Sequence, residues 1–281
     1  FFLLYCFYSI DFLEKAVIIK DVMSKHSHWA KIKHDKGGAD AKRGKVFSKI
    51  VRAIQLAARD GADTASNFRL RLVMDQAKIA GVTKDTIERA VLRGSGQDGE
   101  GVVMSEEVYE GFAPGGAAVM IQAVTDNKNR TFQDLKHLFN KFGGTLGGSG
   151  SVAWQFIKRG ILRLPTGQAG LPTGQAGLPS FETMAVSVKI SREDMELRLI
   201  EAGAEDMMEE DGGLTVYTKP EELKAAEERV RAMGVAPEYA AIGWVAKETM
   251  EIPEEKRAEF EAFENALDEM EDVNEYYTNA K

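Results

Sequence analysis

The hydrophobic pattern of this chain changes its period at Glu106, and that change limits the folds open to it. Before Glu106, apolar residues recur at helical spacing in segments that end at glycines. After it, short alternating or continuous apolar runs are interleaved with helical segments. A period of 3.6 residues is typical of amphipathic helices, and a period of two is typical of strands. The sequence therefore predicts a helical N-terminal part followed by mixed helix and sheet.

Three helices are predicted in the N-terminal part. The first covers residues 42–60 and ends at Gly61, and the second covers residues 67–80 and ends at Gly81. Thr83 is the expected N-cap of the third, because a threonine side chain can accept a hydrogen bond from the first turn. Helices this short, joined by brief loops, predict a small bundle.

The part after Glu106 predicts two successive groups of strands and helices. The first group has strands at 107–110 and 117–124, a helix at 131–142 and a strand at 151–157. The second group has, in order, a helix at 191–199, a strand at 214–218, a helix from Pro220, a strand at 240–248, a helix from Pro253 and a strand at 273–277. A sheet covered on one face by helices is the simplest way to bury such an order.

An exact repeat interrupts this pattern. The heptapeptide LPTGQAG occupies residues 164–170 and again 171–177, and Leu178 and Pro179 follow. Two copies are too few for a repeat architecture, and proline and glycine at this density cannot form a core. We interpret residues 164–179 as an insertion in a surface loop.

A basic segment at residues 23–52 is the strongest functional signal in the sequence. It contains nine Lys/Arg, three His and one Trp against two Asp. Phosphate backbones are the most general partners of such a surface, because each neutralised phosphate releases a counterion. The alternative is a solvated basic face without a specific partner. Binding is favoured because the charge is confined to one end of the chain and because the segment also contains His and Trp.

The charge is divided along the chain. The whole sequence has a formal charge of -8. Residues 23–100 carry sixteen Lys/Arg and nine Asp/Glu, a net of +7, whereas residues 181–281 carry eleven and twenty-seven, a net of -16. A polyanion should therefore meet the N-terminal part, and the acidic part would repel it.

The first 22 residues stand apart from the rest. Cys6 is the single cysteine, which excludes an internal disulfide and any multi-cysteine zinc site. The apolar run at the start is shorter than the roughly 20 residues of a membrane span, and it has neither the basic flank nor the cleavage site of a signal peptide. Because the first methionine is Met23, we expect residues 1–22 to be upstream sequence translated from a misplaced start. A short amphipathic element is the alternative.

No catalytic set can be assembled from the sequence. Glu106 and Glu107 adjoin on a predicted strand and should point to opposite faces, so they cannot act together on one bond. His137 is isolated on a helix and is predicted to be structural. The three histidines at 26, 28 and 34 could hold a metal, but the surrounding lysines would repel a dication, so contact with phosphate or base is favoured. We expect no enzyme, no metal and no cofactor.

Fifteen residues are the candidate nucleic-acid contacts. They are Lys25, His26, His28, Trp29, Lys31, Lys33, His34, Lys36, Lys42, Arg43, Lys45, Lys49, Arg52, Asn129 and Arg130. Trp29 either stacks on a base, worth about 1 to 3 kcal/mol, or fills the core of the bundle. Asn129 and Arg130, together with the glycine-rich turn at 143–150, form a possible second surface, although a tight turn alone explains those glycines.

Several separated motifs resemble one known family. They are, in order, MSKHSHWAKIKH from Met23, KGGADAKRGKVFSKI, YEGFAPGGAAV, TDNKNRT at residues 125–131, GGTLGGSGSVAWQF and the terminal LDEMEDVNEYYTN. This set resembles the YebC/PmpR family, to which the mitochondrial translational activator of cytochrome c oxidase subunit I also belongs. The resemblance covers residues 23–281 apart from the repeat. Lys25 stands where the family usually has Gly, and His28 where it usually has Lys.

The resemblance implies an α+β fold with three domains. A basic helical bundle at 23–97 would be followed by two ferredoxin-like α/β domains. The middle one would be discontinuous, at 98–160 and 247–281, and the acidic one at 161–246 would be inserted into it. The C-terminal helix and strand would then return to complete the middle sheet.

The resemblance also implies a function in gene expression. Members are described as probable DNA-binding transcriptional regulators of the cytoplasm, and others resemble ribosome-associated factors that assist translation of difficult, proline-containing stretches. We therefore expect a non-enzymatic nucleic-acid-binding regulator, with no membrane and no small-molecule substrate. Duplex DNA is the first expectation and the ribosome or its rRNA the alternative. A lysine-dominated segment without a recognition helix suits backbone contact better than base reading. A third possibility is an acidic protein-interaction module whose basic end is incidental.

Overall fold

A computed structural model describes residues 40–97, 99, 103–165, 192–210 and 213–281. Contacts between Cα atoms divide the chain into two compact units. Among the described residues, the larger unit contains 40–156 and 250–280, and the smaller unit contains 157–249. The larger unit is therefore built from two separate stretches of the chain.

Three helices are the first elements of the larger unit that the structure describes. They are α1 (Asp40–Ala58), α2 (Phe68–Ala80) and α3 (Lys84–Gly94). Ile54, Leu70 and Ile87 contribute one residue from each helix to a shared apolar core. The predicted bundle is confirmed, because each helix places its apolar stripe against the other two.

Local capping fixes the ends of these helices. Asn67 accepts a hydrogen bond from the Leu70 amide and caps α2, and Thr83 caps α3 in the same way through the Thr86 amide. Gly81 ends α2 at a φ of 84°, in the left-handed region that favours glycine. The predicted boundaries at Thr83 and Gly81 are confirmed, since both depend on residues within a few positions.

A four-stranded sheet follows in the same unit. Its strands are β1 (Ser105–Phe112), β2 (Ala118–Thr125), β3 (Thr145–Leu146) and β8 (Val273–Thr278). The spatial order is β3-β1-β2-β8, and the pairs in it are antiparallel. Tyr109 lies opposite Ile121, which fixes the register of the central pair. The last strand of the chain thus pairs with β2 and completes the sheet that β1 begins.

Two helices cover one face of this sheet. They are α4 (Lys128–Lys141) and α7 (Glu254–Glu269). Phe139 of α4 and Phe263 of α7 meet edge to face, with ring centroids 4.9 Å apart, and both are fully buried. Ile121 and Tyr276 extend the same core from the strands below. This core packs α4 and α7 against the sheet.

The smaller unit has a second sheet of four strands. Its elements are β4 (Phe156–Pro165), α5 (Arg192–Glu201), β5 (Asp206–Glu210), β6 (Gly213–Thr218), α6 (Leu223–Ala232) and β7 (Tyr239–Ala246). The strand order is β5-β6-β4-β7. Leu164 and Pro165, the first residues of the LPTGQAG repeat, end β4, and the rest of the repeat lies outside the described residues. The surface-loop interpretation stays a prediction.

Helices and two antiparallel sheets together make an α+β fold, as expected. The division into three domains and its boundaries stay predictions. No helix in the described part of the chain combines the length and apolar character that a membrane span needs.

One predicted strand is wrong. Residues 151–157 were expected to form a strand, but Ala153–Gln155 is a 3-10 turn and β4 begins at Phe156. The amides of Val152 and Ala153 donate to the Glu110 carboxylate at 2.9 and 2.8 Å, so they cannot join a strand ladder. A contact across some 40 positions therefore overrides the local alternation.

Candidate nucleic-acid interface

The helix α1 carries the C-terminal part of the basic segment. Lys45, Lys49 and Arg52 are spaced by four and three residues, which places them along one side of the helix. All three contact the acidic stretch 268–272, where α7 ends and β8 is about to begin. We call this stretch the acidic turn. The end of the basic segment is thus bonded to the far end of the chain.

Lys49 is the buried member of this set. It is 5 % exposed, and its Nζ donates a hydrogen bond of 2.8 Å to the Asp268 carbonyl. Burial lowers the pKa of the Lys49 ammonium, and the nearby carboxylates of Asp268 and Glu275 only partly oppose that effect. As placed, this ammonium faces the protein interior and not solvent.

Arg52 is bonded at both ends of its guanidinium. One terminal nitrogen pairs with the Asp272 carboxylate, and the other donates to Glu271 at 3.1 Å. The Arg52 side chain is 20 % exposed and that of Asp272 9 %. A planar guanidinium suits such a two-point contact, because its donors form a fixed fork. Lys45, which pairs with Glu269, is the most exposed of the three.

Asp272 is the common acceptor of several side chains. Besides Arg52, it accepts hydrogen bonds from Thr131 Oγ1 at 2.7 Å, Thr125 Oγ1 at 3.3 Å and Arg130 Nη2 at 3.0 Å. Burial by itself raises the pKa of this carboxyl, but the hydrogen bonds from Thr131, Arg130 and Arg52 outweigh burial and hold it below its ordinary value. Asp272 is therefore a charged, fully engaged carboxylate that joins α1 to α4.

The predicted pair Asn129 and Arg130 lies in the first turn of α4. Asn127 caps this helix by accepting a hydrogen bond of 3.0 Å from the Arg130 amide. The Arg130 side chain bridges Asp126, at 2.8 Å, and Asp272. The Asn129 side chain is exposed on the surface. The structure thus brings Arg130 to the same carboxylate as Arg52, although the two are far apart in sequence.

A cleft of about 550 Å³ lies beside this network. Its floor is apolar and includes Leu138, Phe142 and Met270. Its charged and polar lining consists of Arg52, Asp126, Arg130, Asp134, His137, Lys141, Glu271 and Asp272. His137 was predicted to be structural, yet it is an exposed residue of this lining. Its spacing of seven residues from Arg130 was the signal that could have placed both on one face of the helix.

The glycine-rich turn after α4 is held by Glu110. This carboxylate is 6 % exposed and accepts hydrogen bonds from the amides of Gly150, Val152 and Ala153 at 2.8 to 2.9 Å. Burial raises the pKa of Glu110, but these three donors outweigh it and lower the pKa below the usual range. A side chain at Gly147 would collide with Ser151, so the tight turn itself requires glycine there.

Trp154 follows this turn and is 68 % exposed, with its indole N–H donating to the Ser151 carbonyl at 3.2 Å. The sequence pattern predicted Trp154 as one of the apolar residues of the strand at 151–157. An exposed aromatic at a rigid turn was not foreseen, because the turn depends on Glu110.

Most of the predicted contacts cannot be located. Eight of them lie outside the described residues: Lys25, His26, His28, Trp29, Lys31, Lys33, His34 and Lys36. Lys42 and Arg43 belong to the backbone of α1, but their side chains are not described. Within the described ranges, no group of three or more His, Cys, Asp or Glu side chains could hold a metal ion. The two roles considered for Trp29 both stay open.

Comparison with known proteins gives matches along almost the whole chain. The profile of the TACO1/YebC protein N-terminal domain matches residues 27–97, and that of the TACO1/YebC second and third domain matches residues 104–280. A protein of Thermotoga petrophila is 40 % identical over 92 % of this chain and 93 % of its own length. One of Acidithiobacillus ferrooxidans is 40 % identical over 92 % and 94 %. Both are named probable transcriptional regulatory proteins.

A solved structure agrees with these matches. The crystal structure of a conserved hypothetical protein from Aquifex aeolicus superposes with a TM-score of 0.75 and 39 % identity. The alignment covers 91 % of this chain and 97 % of that one. With both profiles matched in order and this degree of identity over nearly full length, the chain belongs to the TACO1/YebC family.

Proposed function

We propose that this protein is a non-enzymatic, nucleic-acid-binding regulator of gene expression that acts in the cytoplasm and binds duplex DNA through its basic segment. The names of its relatives as probable transcriptional regulatory proteins support a regulatory role. Lysine-rich contact with phosphates would supply affinity with little base selectivity, and selectivity would then depend on the shape of the duplex.

The proposal rests on the distribution of positive charge between the helical bundle and residues 25–43. Several exposed cations of the bundle are paired with neighbouring carboxylates: Arg69 with Glu106 at 2.8 Å, Lys78 with Asp75 at 3.0 Å, and Arg89 with Asp85 at 2.6 Å. By sequence, residues 25–43 contain six Lys/Arg and only two Asp. The attraction of this unit for a polyanion should therefore be concentrated in that stretch.

Charge reversal in that stretch tests the proposal. The double variant Lys42→Glu/Arg43→Glu, made in the full chain, should weaken binding to a fluorescently labelled duplex by more than about tenfold near 0.1 M salt, since it removes two cations and adds two repulsive charges. Binding is followed by anisotropy over a salt series.

A matched control separates local contact from net charge. Lys224→Glu/Lys256→Glu changes the net charge equally at an exposed residue of α6 and a half-exposed one of α7. We expect this control to bind like the wild type, apart from a small effect that salt screens. Equal losses in both double variants, or no loss in the first, would contradict a binding role for the basic segment.

A further inference from the structure

We propose that Arg52, held by Asp272, is a positioning residue that orients the start of α1, with Lys42 and Arg43, for nucleic-acid binding and does not itself contact phosphate. This inference rests on the proposed function and refines it, because Arg52 belongs to the predicted contacts. It separates the cations of the segment into those that hold α1 in place and those left to meet a ligand.

Both terminal nitrogens of the Arg52 guanidinium already have carboxylate partners. The guanidinium is bonded to Asp272 and, at 3.1 Å, to Glu271, and only a fifth of the side chain is exposed. A phosphate at this position would have to replace two carboxylates and would approach the remaining negative charge of the acidic turn. Removing one partner of a buried ion pair is costly, because the other charge is left without compensation.

The acceptor is fixed from the opposite side. Asp272 accepts hydrogen bonds from Thr131 at 2.7 Å and from Arg130 at 3.0 Å, and both donors lie in the first turn of α4. Thr131 Oγ1 also lies 2.9 Å from Thr125 Oγ1, and Thr125 itself donates to Asp272 at 3.3 Å, so the end of β2 belongs to the same network. Arg52 therefore connects α1 to a carboxylate that cannot move independently of the sheet.

Two further bonds define the placement of α1. Lys49 donates to the Asp268 carbonyl and Lys45 pairs with Glu269, so three residues within an eight-residue stretch of the helix contact the acidic turn. Contacts at three successive positions restrain both rotation about the helix axis and sliding along it.

The restraint acts on the residues before it. Lys42 lies ten residues before Arg52 in the same helix, a distance of about 15 Å along the axis at 1.5 Å per residue. Because a helix of this length is stiff, its fixed end sets the direction of the end that carries Lys42 and Arg43. Asn129, exposed in the first turn of α4, is the chain neighbour of Arg130 in this network.

The salt dependence of binding distinguishes positioning from contact. A cation that neutralises a phosphate contributes about 0.9 to the slope of log Kobs against log salt for duplex DNA. Arg52→Gln should weaken binding about tenfold, as expected when a residue that couples two surfaces is lost, with the slope unchanged. Lys42→Gln should lower the slope by about 0.9.

Companion variants keep the test decisive. Asp272→Asn should reproduce the affinity loss of Arg52→Gln at constant slope, and Arg52→Lys should fall between it and the wild type, because one ammonium cannot copy the guanidinium fork. Arg89→Gln removes an arginine from an exposed pair and should change nothing. In the free proteins, hydrogen exchange of the α1 amides should be faster in Arg52→Gln than in Arg89→Gln.

Three results would overturn the inference. A slope reduced by about 0.9 in Arg52→Gln would make Arg52 a phosphate contact. A lower thermal midpoint with unchanged affinity in both Arg52→Gln and Asp272→Asn would make the contact merely structural. Failure of the wild type to bind duplex DNA would instead remove the proposed function, and the inference with it.

Discussion

Asp272 is a buried carboxylate shared by four side chains from α1, β2 and α4. Arg52, Thr125, Arg130 and Thr131 all donate to it. In an apolar site, such a group would take up a proton, but here the donors stabilise the anion by more than burial destabilises it. At the scale of single residues, this carboxylate explains why Arg52 and Arg130, which belong to separate sequence motifs, bind the same acceptor.

The acid stability of the protein should depend on this residue. The pKa of Asp272 is lower in the folded state than the ordinary value of 3.8. Its stabilising effect is therefore complete above pH 4 or so and is lost as the pH falls through the folded-state pKa. We expect the free energy of unfolding to decline as the pH falls below about 4, and Asp272→Asn to make that decline shallower.

Urea unfolding of both proteins at several pH values measures this difference. Thr131→Val, which removes the 2.7 Å hydrogen bond from Thr131 Oγ1 to this carboxylate, should have a smaller effect in the same direction. An identical pH dependence in the wild type and in Asp272→Asn would show that the network does not favour the anion.

At the scale of elements, Glu110 determines the shape of the turn that precedes β4. Its carboxylate accepts hydrogen bonds from the amides of Gly150, Val152 and Ala153, and the last two are therefore unavailable to the predicted strand. A carboxylate that fills this ring of amides also leaves less room for an outside anion there. The turn is thus better explained as a structural device than as a phosphate cradle.

Removal of that charge should loosen the turn selectively. Glu110→Gln leaves a neutral amide oxygen as a weaker acceptor for three donors. We expect faster hydrogen exchange at Gly150, Val152 and Ala153, with no change at the α7 amides around Phe263. Glu107→Gln, on the other face of β1, should leave the turn protected. Unchanged exchange in Glu110→Gln would mean that the glycine backbone alone holds the turn.

Elements that depend on nearby residues were predictable from the sequence, and those that depend on distant ones were not. Gly81 marks where α2 ends and Thr83 marks where α3 begins, and both signals act within a single turn. The wrong strand at 151–157 and the missed role of Asp272 both come from partners 40 or more positions away. A local residue pattern contains no information on which distant carboxylate accepts a hydrogen bond from which donor.

The candidate site shows the same division. Composition alone indicated that the segment at 23–52 is cationic, and it indicated the residues that could contact phosphate. It could not show that Lys49 is buried or that Arg52 ends on two carboxylates, because the acidic turn lies more than 200 positions later in the chain.

At the scale of the whole molecule, opposite charges are segregated along the chain and meet at one place. The basic segment ends where α1 contacts the acidic turn, and the strong negative charge otherwise belongs to residues 181–281. This arrangement keeps the protein acidic overall while it leaves one cationic stretch for a polyanion. Strong negative charge elsewhere should limit the ways in which a nucleic acid can approach.

The most direct test of this account is the salt dependence of binding by the full-length protein, measured side by side on duplex DNA and on purified ribosomes. We predict duplex binding whose log Kobs falls linearly with log salt and that persists near physiological salt with preference among sequences. Tight ribosome binding with only weak, salt-sensitive DNA binding would contradict the choice of DNA as partner. Binding to neither would contradict the proposed nucleic-acid-binding function.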